Sequence, residues 1–288
     1  MNRIFLKDIL NEAIGEDHKI VSRLYGGMMN ISYIVEDAYG KKYVVYIPNG
    51  KANKTVDRKA EKFNTDIFVE LDLTSPFIYF DTTRGIKIKE YIEGEPLDKK
   101  ETVDYQKVAD LLHLIHDSHK LSIIDYHPFS RLAIYENKAL KFAKESNEYR
   151  KLKDFFARHI NYIEHAPKVL CHNDFQKSNI IEEAETGMLY VIDFEFAANN
   201  DPIYDIATFA NNSIEDGEEL LKTYYKEPTK EQYQRFYLWR IFVSLQWSRV
   251  AVIKHYQKEG KKTKHNFLEV SKYFIENGKK AQEKFLAL

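Results

Sequence analysis

Between residues 20 and 92 the apolar residues of this chain fall in short, β-prone runs; from about residue 100 they recur at helical spacing. That change of period restricts the fold more than any other feature. It predicts an α+β chain: a small antiparallel-sheet lobe with one helix, then a larger helical lobe with a few short strands. "IVSRLYGGMMNISYIVED" reads as two strands around Gly26-Gly27, and "KKYVVYIP" as a third, closed by Pro48, Asn49 and Gly50. "KTVDRKAEKFNTDIFVELD" carries Val56, Phe63, Ile67 and Leu71 at helical spacing, and "PFIYFDTTRGIKIKEYIEG" reads as a hairpin turning at Arg84-Gly85. The period breaks near Tyr91 to Gly94, which divides a lobe of residues 1–91 from one of residues 92–288. Beyond it come the helix "DYQKVADLLHLIHDSHK", a long amphipathic helix around 136–163, the short strands "VLC" and "LYVIDF", and a helical tail from about 217 to 285.

Composition narrows the partners. Of the 288 residues, 44% are hydrophobic and 30% charged, as in a soluble globular protein. The formal net charge of -1 offers no basic field for a nucleic-acid backbone. Cys171 is the single cysteine, so no intrachain disulfide or cysteine zinc cluster can form. That usage suits a cytoplasmic protein. The N-terminus lacks the apolar core of a signal peptide, and no run of about 18 apolar residues predicts a membrane span.

The chemistry concentrates in "VLCHNDFQKSNII", residues 169–181. His172, Asp174 and Asn179 form H-x-D-x-x-x-x-N, and Asp193 follows fourteen residues later at the end of a second apolar run. Phosphoryl-transfer enzymes of the kinase type need this spacing. The loop Asp accepts the proton of an attacking hydroxyl. The Asn and the second Asp offer oxygen ligands to Mg2+, a hard cation. By itself the pattern is also compatible with a polar turn between two strands.

"HNDFQKSNII", "VIDFEFAANNDPIYDIA" and "GGMMNISYIV" resemble the choline/ethanolamine kinases of the aminoglycoside-phosphotransferase-like group, and most of all the bacterial choline kinases. The resemblance runs from Gly26 to about residue 256. It implies a bilobal protein-kinase-like fold binding ATP and Mg2+, with Asp174 as catalytic base and Asn179 and Asp193 as metal ligands. Asp205 would brace the loop, as would His172, and Gln176 would lie beside the phosphates. Lys177 could touch phosphate or face solvent.

In the first lobe the resemblance places the phosphate-covering turn at "YGGMMNISY", with Asn30 and Ser32 as phosphate contacts. It also expects a Lys or Arg on the next strand, fixed by a Glu on the following helix. Glu61 supplies the carboxylate, but Tyr46 stands where the cation belongs, and a phenol is neutral at pH 7. Lys42 shares that strand face but lies roughly 13 Å away at strand rise. Lys51, Lys54 or an inward-turned Arg58 could replace the cation. The backbone from Glu90 to Ile92 would hold adenine.

A quaternary ammonium has no N–H to donate and is held by aromatic faces and nearby carboxylates. Glu195, Tyr204 and Trp247 are the candidates for such a pocket, with Phe209, Trp239 and Tyr256 nearby; core packing explains the aromatic residues as well. The expected activity is therefore ATP-dependent phosphorylation of a small amino alcohol, choline above all. Ethanolamine, thiamine and aminoglycosides are the alternative acceptors. Tyr46 also leaves open a non-catalytic ligand-binding module. His113, His116 and His119 lack a further metal-ligand set, and Cys171 reads as a buried packing residue.

Overall fold

A computed structural model describes residues 3–24, 30–48, 56–257 and 266–288, with side chains from residue 6 onward. The chain forms two compact units, residues 1–102 with 122–124 and 178–197, and residues 103–121 with 125–177 and 198–288.

The first unit opens with helix α1 (Arg3–Ile14), followed by strands β1 (Lys19–Leu24), β2 (Asn30–Glu36) and β3 (Lys42–Pro48). Helix α2 (Arg58–Glu70) and strands β4 (Phe77–Asp81) and β5 (Ile86–Glu90) follow. The strands make one antiparallel sheet in the order β1-β2-β3-β5-β4. Alternation along β3 and β5 gives the sheet two different faces. Tyr43, Val45, Ile86 and Ile88 join Ile9 and Leu10 of α1 in an apolar core. Tyr46, Lys87 and Lys89 point to the opposite face, where α2 lies.

Local chemistry sets the element ends. Asp57 caps α2 by accepting the Lys59 and Ala60 N–H groups at 3.1 and 3.0 Å, so the helix begins at Arg58. The β4–β5 turn falls at Arg84-Gly85 as expected: Gly85 takes φ of +74°, and Asp81 accepts the Thr83 and Arg84 N–H groups. The expected turn at Gly26-Gly27 lies outside the described residues. A second small sheet of this unit joins β6 (Gly94–Pro96), β8 (Ile180–Glu183) and β9 (Leu189–Val191).

The second unit contains α3 (Tyr105–His116), α4 (Pro128–Leu140), α5 (Asn147–Arg158), α6 (Asn161–Glu164), α7 (Pro202–Phe209), α8 (Ile214–Tyr225), α9 (Lys230–Tyr256) and α10 (Phe267–Leu286). Strands β7 (Val169–Cys171) and β10 (Ala198–Asn200) pair antiparallel. The long helix expected around 136–163 is three helices. Ser146 accepts the Tyr149 N–H at 3.1 Å and starts α5 afresh, so the amphipathic period is broken by a cap. Helix α9 is buried from Arg235 almost to its end, as a helix surrounded by others must be, and α4, α5, α7 and α10 pack on it. A Cβ on Gly278 of α10 would lie 2.4 Å from Leu152 and 3.1 Å from Ser244, so glycine allows that close approach. Among the described residues no helix is long and apolar enough to cross a membrane.

Candidate active site

The loop after β7 is tied down by one carboxylate. Asp205, on the first turn of α7 and fully buried, accepts the His172 N–H at 2.8 Å and the Asn173 N–H at 2.7 Å. His116 Nε2 lies 3.2 Å from the same carboxylate, and His116 Nδ1 lies 3.1 Å from the Tyr224 hydroxyl. Asn173 adopts the left-handed conformation at φ of +62°, which Asn tolerates better than most residues. Its amide donates to the Ala198 carbonyl at 3.2 Å and accepts from Asn200 at 2.8 Å. His172 Nδ1 accepts the Asp174 N–H at 3.3 Å, and Phe175 N–H donates to Thr208 Oγ1 at 3.0 Å.

These bonds fix the backbone on both sides of Asp174, whose side chain is buried. Gln176 Nε2 donates to Asp174 Oδ2 at 3.2 Å, so these two expected residues come together. Lys177 is only partly exposed and does not stand alone: it pairs with Asp216 and lies over the Phe209 ring. Burial pushes the Cys171 thiol well up, consistent with packing and not nucleophilic chemistry.

Asn179 and Asp193 belong to the first unit. Asn179 is buried, and its carbonyl accepts the Ile192 N–H at 3.0 Å, which joins the two segments next to each other. Asp193 takes φ of +69°, a left-handed position that Asp tolerates. An amide oxygen and a carboxylate are the hard donors Mg2+ prefers, so this donor set fits that ion. The segment after Asp193 is anchored to α2: Asn64 Nδ2 donates to the Ala197 carbonyl at 2.6 Å, and Phe68 packs on Phe194 with centroids 4.6 Å apart.

The opposite sheet face carries a buried ionic cluster. Arg58 bonds Glu61 at 2.6 Å and Glu195 at 2.9 Å. Lys87 pairs with Glu61 and lies 3.6 Å from Glu195. Asn30 Nδ2 donates to Glu195 Oε1 at 2.7 Å. Burial opposes the Glu195 charge, but Lys87 and Arg58, with hydrogen bonds from Arg58 and Asn30, outweigh it and hold the carboxyl below its ordinary pKa. So Asn30, Glu61 and Glu195 are brought together, while Glu195, expected beside the acceptor, has its charge met by two cations. Ser32 lies opposite Tyr46 in the β2–β3 register.

Sequence reasoning missed Lys87 and Lys89. The alternation in "IKIKE" was the available signal, but lysines on a strand ordinarily mark a solvated face. Here both are buried. Lys89 donates to Thr74 Oγ1 at 2.8 Å and lies over Phe77 and Phe194. Burial, reinforced by Lys87, pulls its pKa down to about 7. Of the cations considered for the Tyr46 position, Arg58 is turned inward, Lys42 pairs with Glu93 at 3.0 Å, and Lys51 and Lys54 lie outside the described residues.

In the segment leaving β5, the Glu90 carbonyl accepts the Ser75 hydroxyl at 2.9 Å and the Tyr91 N–H donates to Lys42 O at 3.0 Å. The Glu90 side chain pairs with Lys41, and Ile92 is half-buried. In the second unit Tyr204 is buried, its hydroxyl 2.9 Å from that of Tyr126, which donates to Gln246 at 3.2 Å. Burial pushes the Tyr126 hydroxyl up to about 12. Tyr204 also meets Trp239, a core residue whose indole N–H donates to Asp201 at 2.8 Å. Trp247 is half-buried and stacks on Phe274 of α10, so it and Tyr204 sit in different aromatic clusters.

Residues 21–278 match the family described as choline/ethanolamine kinase. Protein LicA of Haemophilus influenzae is 27% identical over 224 residues, 74% of this chain and 65% of that protein. Human ethanolamine kinase 1 is 27% identical over 214 residues, 68% of this chain and 46% of that enzyme. The crystal structure of choline kinase LicA from Streptococcus pneumoniae matches with a TM-score of 0.78 at 24% identity, over 99% of each chain. The chain thus has the protein-kinase-like fold that the resemblance implied, with the antiparallel-sheet lobe and larger helical lobe expected from its period.

Proposed function

Because the chain belongs to the choline/ethanolamine kinase family and is a small-molecule kinase, we propose that it transfers the γ-phosphoryl group of ATP to the hydroxyl of choline, giving phosphocholine. In this reading residues 1–91 hold the nucleotide, residues 92–288 supply the catalytic loop and acceptor pocket, and the protein works in the cytoplasm. The observation that carries it is the clamp of Asp205 on the backbone before Asp174. A general base must be held still where the hydroxyl arrives, and a carboxylate bonded to two successive N–H groups does this.

Asp174 orients the acceptor hydroxyl and takes its proton as the phosphoryl group arrives, while Gln176 holds Asp174 through Oδ2. Asn179 and Asp193 would hold Mg2+, which when bound neutralises phosphate charge. Asn30 and Ser32 face the phosphates, Glu61 fixes a phosphate-binding cation, and the backbone from Glu90 to Ile92 receives adenine. The half-buried Trp247 offers an aromatic face to the trimethylammonium group. The Streptococcus pneumoniae relative, named a choline kinase, supports the same acceptor.

The test is turnover of the full chain with ATP and Mg2+ over choline, ethanolamine, thiamine and an aminoglycoside, with products followed by phosphorus NMR. Choline should give the highest kcat/KM. A tenfold preference for another acceptor would overturn the choline assignment, and nucleotide binding without turnover on any acceptor would favour a ligand-binding module. Asp174→Ala should lower kcat by about 10²- to 10⁴-fold at unchanged Tm and ATP affinity; retained turnover would remove Asp174 from the chemistry.

A further inference from the structure

Strand β3 presents no cation to α2. Tyr46 stands there, and burial together with the charges of Asp193, Glu61 and Glu195 pushes its hydroxyl pKa up, so the phenol stays neutral. Those three carboxylates share one neighbourhood with the Tyr46 hydroxyl, and Asp193 is the proposed metal ligand in it. Directly across the ladder from Tyr46 is Lys87 on β5, whose Nζ lies 5.2 Å from the Tyr46 ring centroid. Lys87 is 4% exposed and pairs with Glu61, the carboxylate of α2 expected to fix a phosphate-binding cation.

We infer that Lys87, from the neighbouring strand, is the cation that grips the nucleotide phosphates in place of the missing β3 side chain, with Arg58, Glu61 and Glu195 as its positioning set. The inference rests on the reading of the protein as an ATP-dependent kinase.

Four buried charges support it. Two cations and two carboxylates balance, but burying four ionised groups is costly, and apolar residues of similar size often stabilise a core as well. Such a cluster beside a proposed metal ligand points to function. The division of labour follows from geometry. Arg58 is bonded to both carboxylates and locks them. Lys87 is the member on a flexible four-carbon stem, able to keep Glu61 while turning a donor to phosphate. Lys89, on the same face, is tied to Thr74 and two rings and has lost much of its tendency to stay charged. Lys42 is committed to Glu93 at the exposed edge.

The test is direct binding of ATP, ADP and AMP by calorimetry to the full chain, wild type against Lys87→Met, Lys87→Arg and the double variant Tyr46→Lys/Lys87→Met. Lys87→Met should weaken ATP and ADP by about tenfold or more and leave AMP within about twofold. Lys87→Arg should retain most affinity. The double variant returns the cation to β3 with the cluster's charge unchanged and should recover ATP binding. Its folding, followed by Tm, keeps the test readable if the single variant unfolds. Unchanged ATP affinity in Lys87→Met, or equal loss for ATP and AMP in folded protein, overturns the assignment and leaves the kinase reading intact. No nucleotide binding by the wild type overturns both. Wild type that binds ATP but phosphorylates no amino alcohol sinks the choline reading alone, and the Lys87 comparison still decides.

Discussion

Asp205 and Glu195 are both buried carboxylates, each a short way from a residue proposed for the chemistry, yet their partners differ in kind. Asp205 accepts two successive backbone N–H groups and faces His116. Among the described residues Glu195 is met by side chains: Arg58 and Lys87 by charge and Asn30 by a hydrogen bond, from α2, β5 and β2. Backbone donors are present whatever the neighbouring sequence, so the loop clamp needs a single correct residue. The cluster needs several, and its cations can change strand without changing the charge balance. On the proposal that Lys87 supplies the phosphate-binding cation, that difference lets the chain carry Tyr46 on β3.

The largest effect expected of breaking this comparison is on the cluster. Glu195→Gln leaves Arg58 and Lys87 sharing Glu61, a buried excess of one positive charge, and should cost about 3–5 kcal/mol of stability. The pH dependence has a definite sign. The folded-state carboxyl lies below the ordinary 4.5, so its contribution is fully present above that value and is lost as pH falls through the folded-state pKa. Denaturant titrations of wild type and Glu195→Gln should differ by a constant amount from pH 7 down to about 5 and converge at still lower pH. Parallel curves over the whole range would mean that the charge of Glu195 contributes nothing.

Asp205→Asn makes the same carboxylate-to-amide change in the loop. One oxygen remains to accept an N–H, and the new amide nitrogen faces the other donor. The loss should be about 2–3 kcal/mol, within the range of one hydrogen bond to a charged group. Because the clamp holds Asp174 and not the nucleotide, kcat should fall while ATP affinity measured by calorimetry stays within about twofold. A loss of ATP affinity equal to the loss in kcat would mean that the clamp also serves nucleotide binding.

The contrast also marks what the chain revealed before its structure. His172, Asp174, Asn179 and Asp193 could be read as a pattern because they stand at fixed spacing along one loop and one strand end. Asp205 follows closely in the same chain segment. The antiparallel sheet and the helical half were legible from the change of period, since a two-residue and a 3.6-residue repeat cannot be confused over so many elements. The break of the 136–163 stretch into α4, α5 and α6 was not, because Ser146 looks like any polar residue until its hydroxyl is seen on the Tyr149 N–H. The cluster was legible only in part. Glu61 and the inward option for Arg58 could be named, but Lys87 could not, because its partners are 26 and 108 residues away and the β3–β5 register that sets it opposite Tyr46 is long-range.

Lys177 against Lys87 gives the smallest and most discriminating comparison. Both are lysines near proposed phosphate-binding residues, one in the proposed catalytic loop and one on β5. Lys177 pairs with Asp216, which also accepts the Tyr105 hydroxyl at 2.6 Å, and it lies over Phe209. The pair is partly open to solvent, with side-chain exposures of 15% and 22%, so screening limits its worth. Lys177→Met keeps the contact of the stem with the ring and leaves Tyr105 on Asp216. It should therefore lower stability by only about 0.5–1 kcal/mol and leave the KM for ATP within about twofold. If Lys177→Met instead raised KM as far as Lys87→Met, the loop lysine would be gripping phosphate, the Asp216 pair would be its resting position, and the assignment of the phosphate-binding cation to β5 would lose its main support.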